Sequence, residues 1–203
     1  MDHQARIATD LPLRTASPPP KRATNPTLVA FASALAVWSI VYLLPHLYWG
    51  LGGTTGLSAV KPSASALPEW QAINLAASGV LALPALLAVA LVAVGAGTAK
   101  SGLLLVSLAG SAIATSHGLY GIVYRSLMVA GTIDVDGQTF DASRHGWVLW
   151  DLLVFEPWFL IEGLLLACTG GAVVAPQSRR RWVLACTVSV AMATLTGVVG
   201  IRI

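Results

Sequence analysis

Residues 155–166 read FEPWFLIEGLLL. The stretch is apolar enough for a membrane interior, yet it holds Glu156, Pro157 and Glu162. A carboxylate at mid-bilayer costs roughly 2.5–3.5 kcal/mol on insertion scales, so an acid kept there needs a partner or a purpose. Whether this stretch lies in a membrane decides the fold, and the rest of the chain answers that question.

The chain has 203 residues, 56% of them hydrophobic and only 10% charged, with a mean hydropathy of +0.74. Soluble domains carry about 25% charged residues. Crossing the hydrocarbon takes roughly 20 apolar residues. Five runs qualify, at about 27–49, 70–94, 102–124, 147–175 and 182–201. The expected fold is therefore all-α: a polytopic transmembrane bundle of five spans at 27–203, behind a disordered tail at 1–26. In that tail, ASPPPKRATNP (16–26) is polar and proline-rich and has nothing to bury. Ala64-Ser65-Ala66 has the form of a cleavage site. It lies about 17 residues beyond a run too long for a signal sequence, so no cleavage is expected. Pro84 and Pro157 each remove a backbone donor and are expected to kink their helices.

Lysine and arginine placement gives direction. Arg6, Arg14, Lys21, Arg22, Lys100 and Arg179–Arg181 fall on one side, against Lys61, Arg125, Arg144 and Arg202 on the other. The positive-inside rule puts the N-terminus in the cytoplasm and the C-terminus outside. Trp49, Trp70, Trp147 and Trp150 then gather at the outer rim with Tyr48 and Tyr124. Between spans three and four, TIDVDGQTF alternates around Asp136-Gly137, which predicts a small outer β-hairpin. Asp134, Asp136 and Asp141 lack the spacing of a calcium loop and read as turn residues.

All twelve lysines and arginines fall outside the runs as drawn, whereas Asp151, Glu156 and Glu162 do not. His46 and His117 are the other titratable residues within spans. His46 is expected about one turn below the outer end of span one, and His117 and Glu162 about two turns deep on spans three and four. The steps Asp151, Phe155, Trp158, Glu162 make one helical stripe, with Glu156 turned about 140° from Asp151. The expected site thus lies in the outer half. His117, Glu162 and His46 are its candidate catalytic groups. Tyr48, Trp49, Trp70, Asn74, Tyr120, Trp150, Asp151, Glu156 and Trp158 are its candidate ligand contacts. His117 and Glu162 are expected to pair in a cavity lined by Trp158 and Tyr120. Each residue also has a plain structural reading: histidines bonded to carbonyls, tryptophans as interface anchors, glycines as packing surfaces.

Span one ends in LPHLYWGLGG (44–53). Pro45 frees a carbonyl near His46, and Gly52 and Gly53 are expected to turn the chain toward the ends of spans three and four. The pattern His46-x-Tyr48-Trp49-x-x-Gly52-Gly53 resembles a bacterial, largely actinobacterial family of small membrane proteins catalogued as a domain of unknown function. Glu156, Pro157, Trp158 and Gly163 are similar to that family's later aromatic–proline segment, and the resemblance spans roughly residues 30–175. It implies a four- or five-span inner-membrane protein and carries no activity, no cofactor and no catalytic roles.

Imidazole titrates near neutral pH, so histidine beside a carboxyl suits acid–base work on an apolar small molecule or lipid. Small membrane sterol isomerases offer a chemical analogy only. A b-type haem held by His46 and His117 is a second class. A transporter is disfavoured, because no internal repeat is present. An accessory subunit needs only the packing glycines. Cys168 and Cys186 sit in apolar runs and read as packing residues. Nothing suggests nucleic acid, and no GK[ST], GxSxG or HExxH pattern occurs.

Overall fold

The computed structural model describes residues 25–57, 69–94 and 100–198. The expected N-terminal tail at 1–26 lies almost entirely outside them. Among the described residues the regular elements are helical: α1 (Pro26–Gly50), α2 (Trp70–Val94), α3 (Lys100–Val129), α4 (Gly146–Trp150), a π-helical turn (Asp151–Phe155), α5 (Glu156–Val173) and α6 (Arg179–Val198). Four helical stretches are long and apolar enough to cross a membrane: Pro26–Gly50, Trp70–Val94, Ser101–Val129 and Gly146–Val173. The count is four where five runs were expected. The fifth run does form a helix, α6, but it opens on Arg179, Arg180 and Arg181 and is interrupted by Thr187, Thr194 and Thr196. Those threonines bond back to carbonyls of their own helix.

Two antiparallel pairs build the bundle. α1 packs along α2, and α3 packs along α5. α5 also touches α1, so it sits between the pairs, and α6 lies against α3. At the base, Asn25 caps α1 through Thr27 N–H (3.1 Å), and its amide donates to Ala172 O at the end of α5 (3.0 Å). One asparagine thereby stops one helix and ties it to another. The apolar core beside it joins Leu28, Leu35, Leu87, Leu91 and Leu166 from three helices.

The expected outer hairpin is reduced to a single turn. Val135 and Gln138 exchange both backbone bonds (2.7 and 2.9 Å) around Asp136 (φ 53°) and Gly137 (φ 76°), and no strand extends from them among the described residues. The left-handed pair at Asp136-Gly137 is what a two-residue turn requires. The ladder stops there because Val135 turns down into a small core with Met128 and Val148. Ser143 then donates its N–H and Oγ–H to Asp141 Oδ1, which holds that exposed carboxyl below the usual carboxylate range.

The close seam between α3 and α5 is made by small residues. Gly118 has Glu156 O and Leu160 N only 2.6 Å from where a Cβ would stand. Gly163 meets Thr115 and Ser111, and Ser107 Oγ donates to Leu166 O (2.8 Å). Small residues let membrane helices approach until backbones touch. Gly118→Ala is therefore expected to lower the thermal stability of the purified protein, by about 1–3 kcal/mol. Gly79→Ala, on a helix face with open space, should be neutral or slightly stabilising. Thermal unfolding of the two variants side by side checks this. Equal stability would mean that α3 and α5 do not meet as described.

Candidate functional site

The first span's terminal motif is a helix-end lock. Gly52 takes φ 97°, a conformation open to glycine and strained for other residues. Gly53 lies against the Tyr48 ring, where a side chain would collide. The Tyr48 hydroxyl meets Thr55 Oγ1 (3.0 Å), and the Trp49 indole N–H donates to Thr55 O (2.9 Å). The glycines thus fold the chain onto its own helix, with Gly52 near Gln71 at the start of α2. This corrects the expected approach to the ends of spans three and four. Trp70 packs over Trp49 and Leu57. His46 Nδ1 meets Asn74 Oδ1 on α2 (2.9 Å), and Asn74 Nδ2 donates to Trp70 O (2.9 Å). Tyr48, Trp49, Trp70, Asn74 and His46 therefore form one assembly, and it joins α1 to α2.

The two glutamates of α5 go to different neighbours. Glu162 is buried and accepts from Ser39 Oγ on α1 (2.8 Å). Glu156 is buried against α3, where its carboxyl fills the space left by Gly121. Its Oε2 lies 3.7 Å from His117 Nε2 and makes no hydrogen bond among the described residues. The expected His117–Glu162 pair is not formed; the carboxyl beside His117 is that of Glu156. Tyr120 also departs from expectation. It stacks on Tyr124 (5.7 Å) and its ring faces Gly197 of α6, away from Trp158.

Glu156 and Glu162, six residues apart on regular α5, face different neighbours by spacing alone, and the π-helical turn before them sets where Asp151 points. Pro157 has no N–H, and its ring would crowd the carbonyl four residues earlier. The helix widens ahead of it, and Glu156 N–H bonds to Asp151 O five residues back. The wider turn shifts the register, so Asp151 leaves the stripe that Phe155, Trp158 and Glu162 continue. Asp151 and Glu156 both end beside α3, where the straight-helix reading separated them by about 140°. Asp151 takes Arg125 at 2.9 Å. Arg125 also lies over the Tyr124 and Trp147 rings (5.6 and 5.0 Å). A span drawn to end at Tyr124 left this arginine out. The helix continues to Val129 because Asp151 and two aromatic faces accept the charge.

On the α1 side, Trp38 and Trp158 stack at 4.0 Å, and the Trp38 indole N–H donates to Trp158 O (3.2 Å). Tyr42 stacks on Trp158 (5.3 Å) and meets Phe159 edge-on (5.4 Å). Phe159 in turn meets His117 edge-on (4.6 Å). One ring therefore bridges Tyr42 on α1 and His117 on α3, two helices with no extensive packing of their own. The His117 side chain is 57% exposed along this seam. Trp150 is exposed at the rim.

Sequence reasoning missed Trp38, Ser39, Tyr42 and Arg125. For Ser39 and Tyr42 a signal existed. Leu28, Ala32, Leu35, Ser39, Tyr42, His46 and Trp49 step by four and three and mark the inward face of α1. Two grooves, about 400 and 610 Å³, lie on the α6 side, and neither is lined by His46, His117 or Glu162.

A family model described as "Protein of unknown function (DUF3995)" matches residues 39–166. The chain belongs to this family. The match opens at Ser39, closes at Leu166 and contains the four side-chain pairs that join different helices among the described residues: Ser39–Glu162, His46–Asn74, His117–Glu156 and Arg125–Asp151. α6 lies beyond it. No curated protein and no solved structure compared with the chain matches it.

Among the described residues Ser39 is the one hydrogen-bond partner of the Glu162 carboxyl, so its loss should be felt. Ser39→Ala is expected to destabilise by about 1–3 kcal/mol, the cost of a buried polar group left unpaired. Ser39→Ala combined with Glu162→Leu should cost less than the sum of the single changes. Strictly additive losses in a thermal or denaturant double-mutant cycle would separate the two side chains.

Proposed function

We propose that this integral membrane protein receives the polar end of an apolar small molecule or lipid at the seam between α1 and α3. The observation that carries the reading is the exposed His117 imidazole, 3.7 Å from a buried carboxyl oxygen that has no hydrogen bond among the described residues. Buried polar groups are rarely left unpaired, and those that are call for an explanation such as a ligand. Trp158 Nε1 is a second such atom, on the ring that stacks against Tyr42. The roles follow. Phe159 and Tyr42 supply apolar contact, His117 meets the ligand's polar group, and Glu156 orients the imidazole. Any proton transfer would run through His117, since imidazole can donate from one nitrogen and accept at the other. Glu162 and His46 then act through position, joining α5 and α2 to α1. Tyr48, Trp49, Trp70 and Asn74 close the outer end, and Trp150 anchors it at the interface.

We also read the chain as a multi-pass protein of the bacterial cytoplasmic membrane, N-terminus inside. The eight-to-four asymmetry of lysines and arginines supports this. α6, at 20 residues, is long enough for a fifth crossing, which would leave the C-terminus outside. The membrane lipids are then the first partners, and the ligand reaches the seam from within the bilayer.

The test is extraction of the purified protein with organic solvent and mass spectrometry of what co-purifies. An apolar species enriched over the bulk membrane lipid is expected. His117→Ala and Glu156→Gln should each reduce that enrichment by about tenfold, the loss of one good polar contact. A profile matching bulk lipid, or one unchanged by both substitutions, contradicts the reading.

A further inference from the structure

The opposite end of the bundle carries a different feature. Arg179, Arg180 and Arg181 open α6 and are all exposed. None forms an ion pair among the described residues. Seven of the nine acids of the chain are Glu69, Asp134, Asp136, Asp141, Asp151, Glu156 and Glu162; Glu162 lies near the middle of the bundle and the other six lie toward the opposite end. The remaining two, Asp2 and Asp10, precede the described residues. The triplet is thus a cation cluster with no carboxylate near it in the described fold.

Beside it runs the groove of about 400 Å³ between α1, α5 and α6. Phe31, Cys168, Gly171, Trp182 and Val183 line its length, and Arg179 stands in its wall. Its shape is held from below. Trp182 donates its indole N–H to Ala167 O on α5 (2.9 Å), and its ring lies over Gly170 and Gly171. The glycines admit the indole, the indole fixes the first turn of α6, and that turn sets Arg179 in the wall of an apolar channel, with Arg180 and Arg181 exposed on the same turn.

We propose that this groove binds an anionic phospholipid of the cytoplasmic leaflet, with one acyl chain along Phe31, Trp182 and Val183 and the phosphate at Arg179–Arg181. Charge complementarity selects the occupant. A cationic mouth on an apolar channel matches a molecule with one anionic end and a long apolar body, and basic pockets between membrane helices hold such headgroups. Arginine presents a planar fork of donors that fits phosphate. Among its described residues a second copy of this chain offers no acid at this end to meet the triplet. The site stands apart from the His117 seam, and neither reading depends on the other.

Native mass spectrometry of the full chain in detergent provides the test, with phosphatidylglycerol and phosphatidylcholine of identical acyl chains added in turn. The wild-type protein should retain one phosphatidylglycerol in preference to phosphatidylcholine, by about tenfold or more if two or three charged contacts at about 1 kcal/mol each are made. The triple change R179Q/R180Q/R181Q should abolish the preference. The triple change to lysine should keep most of it, which separates charge from folding. Gly171→Phe, which fills the groove, should remove the retained lipid while the arginines remain. A preference that survives the glutamine triplet overturns the proposal. So does one that survives Gly171→Phe, since the lipid would then be held by surface charge alone. Arg179→Gln by itself, at an exposed position, covers the case in which the triple variant fails to fold: an unchanged preference there also counts against the site.

Discussion

A glutamate in hydrocarbon must be partnered, and α5 carries two of them, six residues apart. The fold answers by placing α5 between two neighbours and giving each one carboxyl. Glu162 goes to Ser39 on α1, and Glu156 goes to the side of α3 that carries Gly121 and His117. This division sets the order of the helices. α1 and α3 need not touch, because α5 holds both. It also sets where the polar chemistry of the bundle can occur. One carboxyl is sealed by a hydroxyl, while the other keeps an oxygen free beside an exposed imidazole.

Three local features make the division possible. Pro157 widens the helix ahead of it and swings Asp151 round to Arg125, so the same turn that carries Glu156 to α3 is itself pinned there. Gly118 and Gly121 let the α5 backbone approach α3 closely enough for that carboxyl to be buried. Trp38 and Tyr42 press their rings on Trp158 and hold the opposite face of α5 on α1. The family match runs from Ser39 to Leu166, so it includes all of these residues except Trp38 and ends before α6.

Much of this was legible in the residues, and the failures are instructive. The second run, 70–94, coincides with α2, because Trp70 marks one end and the residues inside it carry no charge. The turn at Asp136-Gly137 was readable because few residues tolerate positive φ there. Arg125 was lost by treating a charge as the end of a span, a rule that fails when a carboxylate and two aromatic faces await it. The His117–Glu162 pairing came from matching depths along ideal helices. Depth says nothing about azimuth, and the π-helical turn then moved Asp151 out of its stripe. Ser39 looked like one more small residue. Only the four–three spacing of its face, from Leu28 to Trp49, marks it as inward-facing.

The central claim is the assignment of His117 to Glu156 and of Glu162 to Ser39. Magic-angle-spinning NMR in lipid bilayers tests it most directly, with the nitrogens of the four histidines and the side-chain carbons of the three glutamates labelled. A nitrogen–carbon dipolar contact from His117 is expected to Glu156 and to vanish in Glu156→Gln while persisting in Glu162→Gln. A contact that instead vanishes in Glu162→Gln would place His117 on the other carboxyl and contradict the division of α5 between its neighbours.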